Sequence, residues 1–324
     1  MRKALIVGIN YYEHTKCLSA CVNDAQTVNN LLLRHENGMK NFDTLLLASK
    51  NSTEVVMRTV LKDRIEELFK SEGEIALLYF AGHGHIESSG GYILSSEAKR
   101  GDEGVSLTEI LTYANESKAK NKIIVLDSCH SGIAGSSVAN KKEAVLEEGI
   151  VILTASTAEQ AAIEGNDHGI FTSLFIDALR GGAANLTGAI TPGSIYAHVD
   201  QSLGEWGQRP IFKANVKQFV SIRNVRPSIE LEDLRRISEF FPTQNHPFKL
   251  NPTFEPELKG RDSDTPPPDP TNMQIFAILQ QYNRLNLLVP VDSPHMWHAA
   301  MESKSCKLTA LGEHYRRLAE KGRI

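Results

Sequence analysis

The chain has 324 residues, 41% of them hydrophobic and 23% charged, an ordinary globular balance that excludes wholesale disorder. The formal net charge of −4 gives no electrostatic case for a nucleic-acid or membrane surface spread over the whole protein. No apolar run approaches the roughly 20 residues that a membrane helix needs.

Read in chain order, apolar runs alternate with amphipathic segments up to about residue 222. Residues 3–9, 44–48, 75–81, 122–127 and 150–155 are continuous apolar runs, as expected of strands covered on both faces. The first of them, Ala4 to Ile9 in its apolar part, is too short for a signal-peptide core and has no cleavage site after it. Residues 23–35, 53–70, 106–115 and 169–180 have helical periodicity; Val55, Val60, Ile65, Leu68 and Phe69 recur near a spacing of 3.6. This alternation predicts an α/β sandwich with a mostly parallel central sheet. In such sheets chemistry gathers beyond the carboxyl ends of the strands.

Proline marks a change of character. Only Pro192 and Pro210 of the 13 prolines precede residue 227. The stretch 242–270 is rich in Pro, Asp, Thr and Lys and reads as extended linker. The expected organisation is a first domain at 1–222, a connecting helix and Pro-rich linker at 223–270, and a small, mainly α C-terminal domain at 271–324. Residues 230–241 are expected to form a helix that packs back on the first domain. In the last domain, helical patterns flank a short strand at 287–291, and Thr309 is placed to cap the final helix. The order loosely resembles a winged helix. That domain carries seven Lys and Arg against four Asp and Glu, too little to force a DNA reading. It is expected to dock a partner or activator, with nucleic-acid binding as the runner-up. Trp297 and Met296 are either interface anchors or core.

Two strand ends carry the chemistry. The strand at 75–81 runs into Ala81-Gly82-His83-Gly84-His85, and the strand at 122–127 into Asp127-Ser128-Cys129-His130-Ser131-Gly132. A thiol is a weak nucleophile until an adjacent base takes its proton, and an imidazole can return that proton to a leaving amine. The glycines beside His83 allow a sharp turn that exposes the ring. Backbone N–H groups of Gly84 and Cys129 are candidate donors to an oxyanion. The plain alternatives are a packed Cys and a tight turn, and His85 is an alternative base. Asp127 lies two residues before Cys129, so its carboxylate is expected to share the crevice with the thiol and to favour a cationic substrate side chain. The four cysteines (Cys17, Cys21, Cys129 and Cys306) form no disulfide framework, which fits free thiols in a reducing cytoplasm.

Tyr79-Phe-Ala-Gly-His-Gly84 with Asp127-Ser-Cys-His-Ser-Gly132 resembles the caspase-like cysteine peptidases, and within them the metacaspase and bacterial caspase-like branch. Leu18-Ser-Ala-Cys-Val-Asn-Asp-Ala25, Leu153-Thr-Ala-Ser156 with Gln160 and Gly169-Ile-Phe-Thr172, and Gln208-Arg-Pro-Ile-Phe212 agree. The resemblance spans residues 1–222. It implies a caspase-hemoglobinase fold, a His83/Cys129 dyad, and endopeptidase activity. In the resembling branch Asp24 and Asp127 line the S1 pocket with Cys21 beside them, which implies cleavage after Arg or Lys; Ser156 is a further lining candidate. The alternatives are Asp24 as a helix cap and Cys21 as a buried hydrophobe. The resemblance also implies work in bacterial stress, cell-death or phage-defence pathways. Many metacaspases carry an Asp-rich, calcium-associated segment after the catalytic His. Here the corresponding stretch, 86–92, supplies few carboxylates, which argues against calcium dependence, and the Cys and His spacings fit no zinc site. No cofactor is required by the dyad. Lys141 and Lys142, in a loop-like stretch after Cys129, match the expected preference and are candidate self-cleavage points, or else a solvated charge pair. The competing readings are a catalytically idle caspase-like scaffold and a nucleic-acid-binding regulator acting through the C-terminal domain.

Overall fold

The computed structural model describes residues 1–87, 90–128, 146–155, 170–203, 210–259 and 261–324. The chain divides into two compact units, Met1–Arg226 and Pro227–Ile324.

In the first unit the strands are β1 (Arg2–Ile9), β2 (Asp43–Ser49), β3 (Ile75–Ala81), β4 (Gly84–Glu87), β5 (Gly90–Ile93), β6 (Val105–Ser106), β7 (Asn121–Asp127), β8 (Ile150–Thr154), β9 (Ala189–Ile190), β10 (Ile211–Asn215) and β11 (Arg223–Asn224). Its helices are α1 (Cys21–Leu33), α2 (Arg58–Lys70), α3 (Leu107–Glu116), α4 (Ile170–Asp177) and α5 (Pro192–Leu203). A six-stranded sheet has the order β10-β8-β7-β3-β1-β2. All its pairings are parallel except that of β10 with β8. β4, β5 and β6 form a separate antiparallel sheet.

Four of the five apolar runs are strands covered on both faces of the sheet, and the fifth, β2, is an edge strand with Leu45 43% exposed. All seven residues of β3 are buried. Phe80 and Leu78 face one layer with Leu61, Ile65 and Ile110 of α2 and α3. Tyr79 and Leu77 face the other with Ala25 and Val28 of α1 and Phe175 of α4. Each fully buried Leu, Ile or Phe contributes about 2 kcal/mol.

Helix starts differ from periodicity alone where a side chain redirects the backbone. α2 begins at Arg58, not at residue 53, because Asn51 Oδ1 accepts the N–H groups of Thr53 and Glu54 and holds a turn there. α3 begins with a capping box between Ser106 and Glu109. The first unit runs past residue 222: the buried guanidinium of Arg223 donates to the carbonyl oxygens of Leu31 at 3.0 Å and Leu179 at 2.6 Å, joining the ends of α1 and the α4 segment.

The second unit contains α6 (Leu231–Arg235), α7 (Ile237–Phe240), β12 (Phe248–Lys249), α8 (Pro270–Arg284), β13 (Leu288–Val291), α9 (Met296–Met301), β14 (Ser305–Leu308) and α10 (Ala310–Glu320). Its strands form an antiparallel sheet, β12-β14-β13. Two sequence expectations are corrected here. The Pro-rich stretch is no free linker: Phe248 pairs with Cys306, and the rings of Phe240, Phe248, Phe254 and Phe276 form a chain of contacts about a buried Leu250. Proline spacing hid these apolar residues because they lack any helical or strand period. Residues 230–241 form two short helices, not one, and pack against α10 of this second unit. Asp269 caps α8 and Thr309 caps α10. Met296 is core and Trp297 half-buried. No helix among the described residues is long and apolar enough to cross a membrane.

Candidate active site

The parallel register sets Ala81 opposite Asp127, and Gly82 N–H donates to the Asp127 carbonyl at 3.2 Å. The carboxyl ends of β3 and β7 are thereby locked side by side. His83 follows Ala81 by two residues, as Cys129 follows Asp127 by two in the sequence. Cys129 itself lies outside the described residues, as do His130, Lys141, Lys142, Ser156, Gln160, Gly169 and Gln208.

The β1–α1 loop holds His83 from three sides. Its backbone N–H donates to Tyr12 Oη at 2.7 Å. The two rings lie against each other with centroids 4.6 Å apart. Its Nε2 is 2.7 Å from the Lys16 carbonyl oxygen. A carbonyl only accepts, so Nε2 carries the proton and the lone pair of the neutral ring is on Nδ1. Tyr12 reaches this position because residue 82 is Gly: a Cβ there would stand 2.5 Å from Tyr12 Oη. Burial raises the Tyr12 pKa well above its usual value, so it remains a neutral phenol. Tyr12 and Lys16 carried no sequence signal; only the loop's path shows them.

His85 is placed differently. Its ring lies over Gly101 and its Nε2 is 3.3 Å from Glu87. Gly84 opens β4. Leu94 N–H donates to the His83 carbonyl at 2.9 Å, which makes Gly84 and Ile93 a non-hydrogen-bonded antiparallel pair. The Gly84 N–H therefore points away from β5.

An acidic pair sits beside this ridge. Asp24 lies in the first turn of α1 and is 2% exposed. The N-cap position is Ala20, without a side-chain cap, and the Val22 N–H is taken by Asn10 Oδ1 at 3.0 Å. α1 approaches β1 closely enough that a Cβ at Gly8 would stand 2.4 Å from the Cys21 carbonyl oxygen. Asp127 is half-buried at the end of β7. Desolvation pushes its carboxyl up from 3.8 to about 7, the Thr172 hydroxyl bond holds it down, and the charge of Asp24 adds to the rise. Tyr79 Oη and Thr172 Oγ1 are 2.6 Å apart, and Thr172 donates to Asp127. Asp24, Asp127 and Cys21 all act on Tyr79 electrostatically, so the structure gathers these groups at one place. Cys21 is half-buried. Thr172 and Tyr79 stand within stretches that carry the family resemblance, but their support of Asp127 follows only from the fold. Among the described residues no group of His, Cys, Asp and Glu is arranged to hold a metal ion.

Residues 1–224 match the caspase domain family, Peptidase_C14. The chain is 25% identical to Metacaspase-1 of Mycosarcoma maydis, in a match that covers 41% of this chain and spans only 36% of that relative's length. Among solved structures it is similar to protein GSU0716 of Geobacter sulfurreducens, with a TM-score of 0.50 and 18% identity, over 70% of this chain and 98% of that one. It is also similar to Caspase-1 of Spodoptera frugiperda, with a TM-score of 0.47 and 12% identity, over 69% of this chain and 90% of that one. With the family match spanning the whole α/β sandwich, this chain belongs to the caspase domain family of cysteine peptidases.

Proposed function

We propose that the chain is a cysteine endopeptidase that cuts proteins after Arg or Lys. The observation that carries this reading is the pairing of the buried Asp24 carboxylate with the half-buried Asp127 carboxylate at the strand end that precedes Cys129. A P1 guanidinium or ammonium would be attracted to those carboxylates. Asp at P1 would be repelled there. Cys21 and Ser156 complete the S1 lining.

His83 Nδ1 takes the proton of the Cys129 thiol. The thiolate adds to the carbonyl carbon after the P1 residue, and the oxyanion that forms is held by the N–H groups of Gly84 and Cys129. As the C–N bond breaks, the imidazolium returns its proton to the leaving amine. Water, deprotonated by the same imidazole, then hydrolyses the thioester and frees the thiol. Throughout, the Lys16 carbonyl keeps the Nε2 proton in place and stabilises the charged ring.

The second unit acts as a regulatory module that docks an activating partner. The setting we propose is proteolytic signalling in bacterial stress, cell death or phage defence, with self-cleavage at Lys141 or Lys142 as one means of control. The test is turnover of fluorogenic peptides differing only at P1, together with a proteome-wide comparison of new N-termini made by wild type and Cys129→Ala. The expected result is new termini after Arg and Lys that the variant does not produce. Faster cleavage of the Asp peptide would reject the Arg/Lys preference, and equal termini from both proteins would reject the peptidase reading and leave the scaffold alternative standing.

A further inference from the structure

A second pocket, of about 280 Å³, is lined by Tyr11, Glu13, Ser52, Val55, Met57 and Glu97 among others. Three loops build it, those after β1, β2 and β5. Glu13 N–H donates to the Ser96 carbonyl at 2.8 Å, and Ser96 N–H to the Val56 carbonyl at 3.0 Å. Tyr11 and Glu13 flank Tyr12, the residue whose ring lies against His83.

Its position relative to the acidic pair is set by the sheet. Asp24 and Asp127 lie with Tyr79, on the face covered by α1 and α4. Tyr12, Val56, Leu94 and Ala98 belong to the opposite layer, with Phe80. His83 stands at the strand edge between the two. In the proposed reaction the imidazole hands its proton to the leaving amine, so the substrate leaves the scissile bond on the imidazole side. A peptide whose P1 side chain enters the Asp24/Asp127 pocket therefore carries its following residues toward this second pocket.

The chemistry of the walls selects an occupant. Val55 and Met57 are exposed apolar side chains, 42% and 41% accessible, and Tyr11 adds a ring. Two carboxylates, Glu13 and Glu97, stand among them, and no lining residue carries a positive charge. The neighbouring Arg58 is turned away, its Nε donating to the Gly104 carbonyl at 3.0 Å. Glu97 Oε1 accepts the Arg58 backbone N–H at 2.7 Å at the start of α2, and its Oε2 is buried behind the pocket wall with no hydrogen-bond partner. An aliphatic stem ending in a cation matches an apolar wall beside carboxylates.

We propose that this pocket is a subsite for a Lys or Arg side chain in the substrate segment that follows the scissile bond. The inference rests on the peptidase reading above and deepens it: the enzyme would select basic residues on both sides of its cleavage point.

The experiment uses the full chain and internally quenched peptides with Arg at P1. Lys, Ala or Glu is placed in turn at each of the first three positions after the scissile bond. An Arg-coumarin amide, which has no residues there, is run beside them. Wild type should cleave the Lys peptide about tenfold better than the Glu peptide at one of those positions. Glu13→Gln with Glu97→Gln keeps the acceptor at the start of α2 and removes both charges. In that variant the Lys-to-Glu ratio, normalised to its own Arg-coumarin turnover, should fall about fivefold. A ratio near one in wild type, or an unchanged ratio in the variant, overturns the subsite while Arg-coumarin cleavage stands. Absence of Arg-coumarin cleavage by wild type overturns the peptidase reading itself, and the subsite with it.

Discussion

Replacing Asp127 by Asn should stabilise the protein at alkaline pH while removing its cleavage of Arg substrates. The native carboxyl is half-buried by its neighbours, and desolvation first, then the charge of Asp24, lift it from 3.8 to about 7 against the pull of Thr172. In the unfolded chain it ionises near the usual carboxylate value. Between those two values the folded state holds a proton that the unfolded state has lost, so stability falls as pH rises, and above about pH 7 the whole cost is present. At 1.36 kcal/mol per tenfold change, that cost is about 4 kcal/mol, of which about 3 kcal/mol develops between pH near 5 and pH near 8.5. Asn keeps an acceptor for the Thr172 hydroxyl and has no charge to desolvate. Urea unfolding of wild type and Asp127→Asn at both pH values gives the stability gap directly, because titrations elsewhere cancel in the difference. The gap should widen by about 3 kcal/mol toward alkaline pH. A gap that does not change with pH would mean that Asp127 ionises freely, and the argument for a cation-seeking pair would fail.

Three further outcomes follow from the geometry. Tyr12→Phe keeps the ring against His83 but removes the acceptor of its N–H; kcat should drop about tenfold with KM little changed, and a loss confined to KM would contradict a positioning role. Gly8→Ala forces a Cβ to 2.4 Å from the Cys21 carbonyl and 2.7 Å from Ala25 Cβ, which pushes α1 and Asp24 away from β1; stability should fall by about 2 kcal/mol and KM for Arg substrates should rise, and an unchanged Tm would contradict the close approach. In the second unit, Glu313→Ala removes the 2.9 Å partner of the buried Arg316, leaves it only the exposed Glu320 at 3.3 Å and frees the Asn245 N–H, at a cost of about 2 kcal/mol read by urea unfolding; a loss below about 0.5 kcal/mol would show that the pair is solvated.

The strands of the central sheet were legible because a strand buried on both faces must be apolar along its whole length, and β3 is buried at every residue. The strand ends then followed from where polar and glycine residues begin, which is why 81–85 and 127–132 could be singled out. Helix starts were less legible. Asn51 turning the chain before α2, and Asn10 capping α1 from the end of β1, are choices made by single side chains that no period reveals.

By itself the sequence determined the α/β class, the positions of the apolar-run strands along the chain, and the two runs that end just before His83 and Cys129, since these depend on local composition and period. Tertiary structure alone decided what surrounds them. The hold of Tyr12 and Lys16 on His83, the meeting of Asp24 with Asp127 through Thr172 and Tyr79, and the inclusion of the Pro-rich stretch in the second unit are contacts between residues far apart in the chain. Such contacts are selected by packing and by the desolvation of charges, which only the folded arrangement sets.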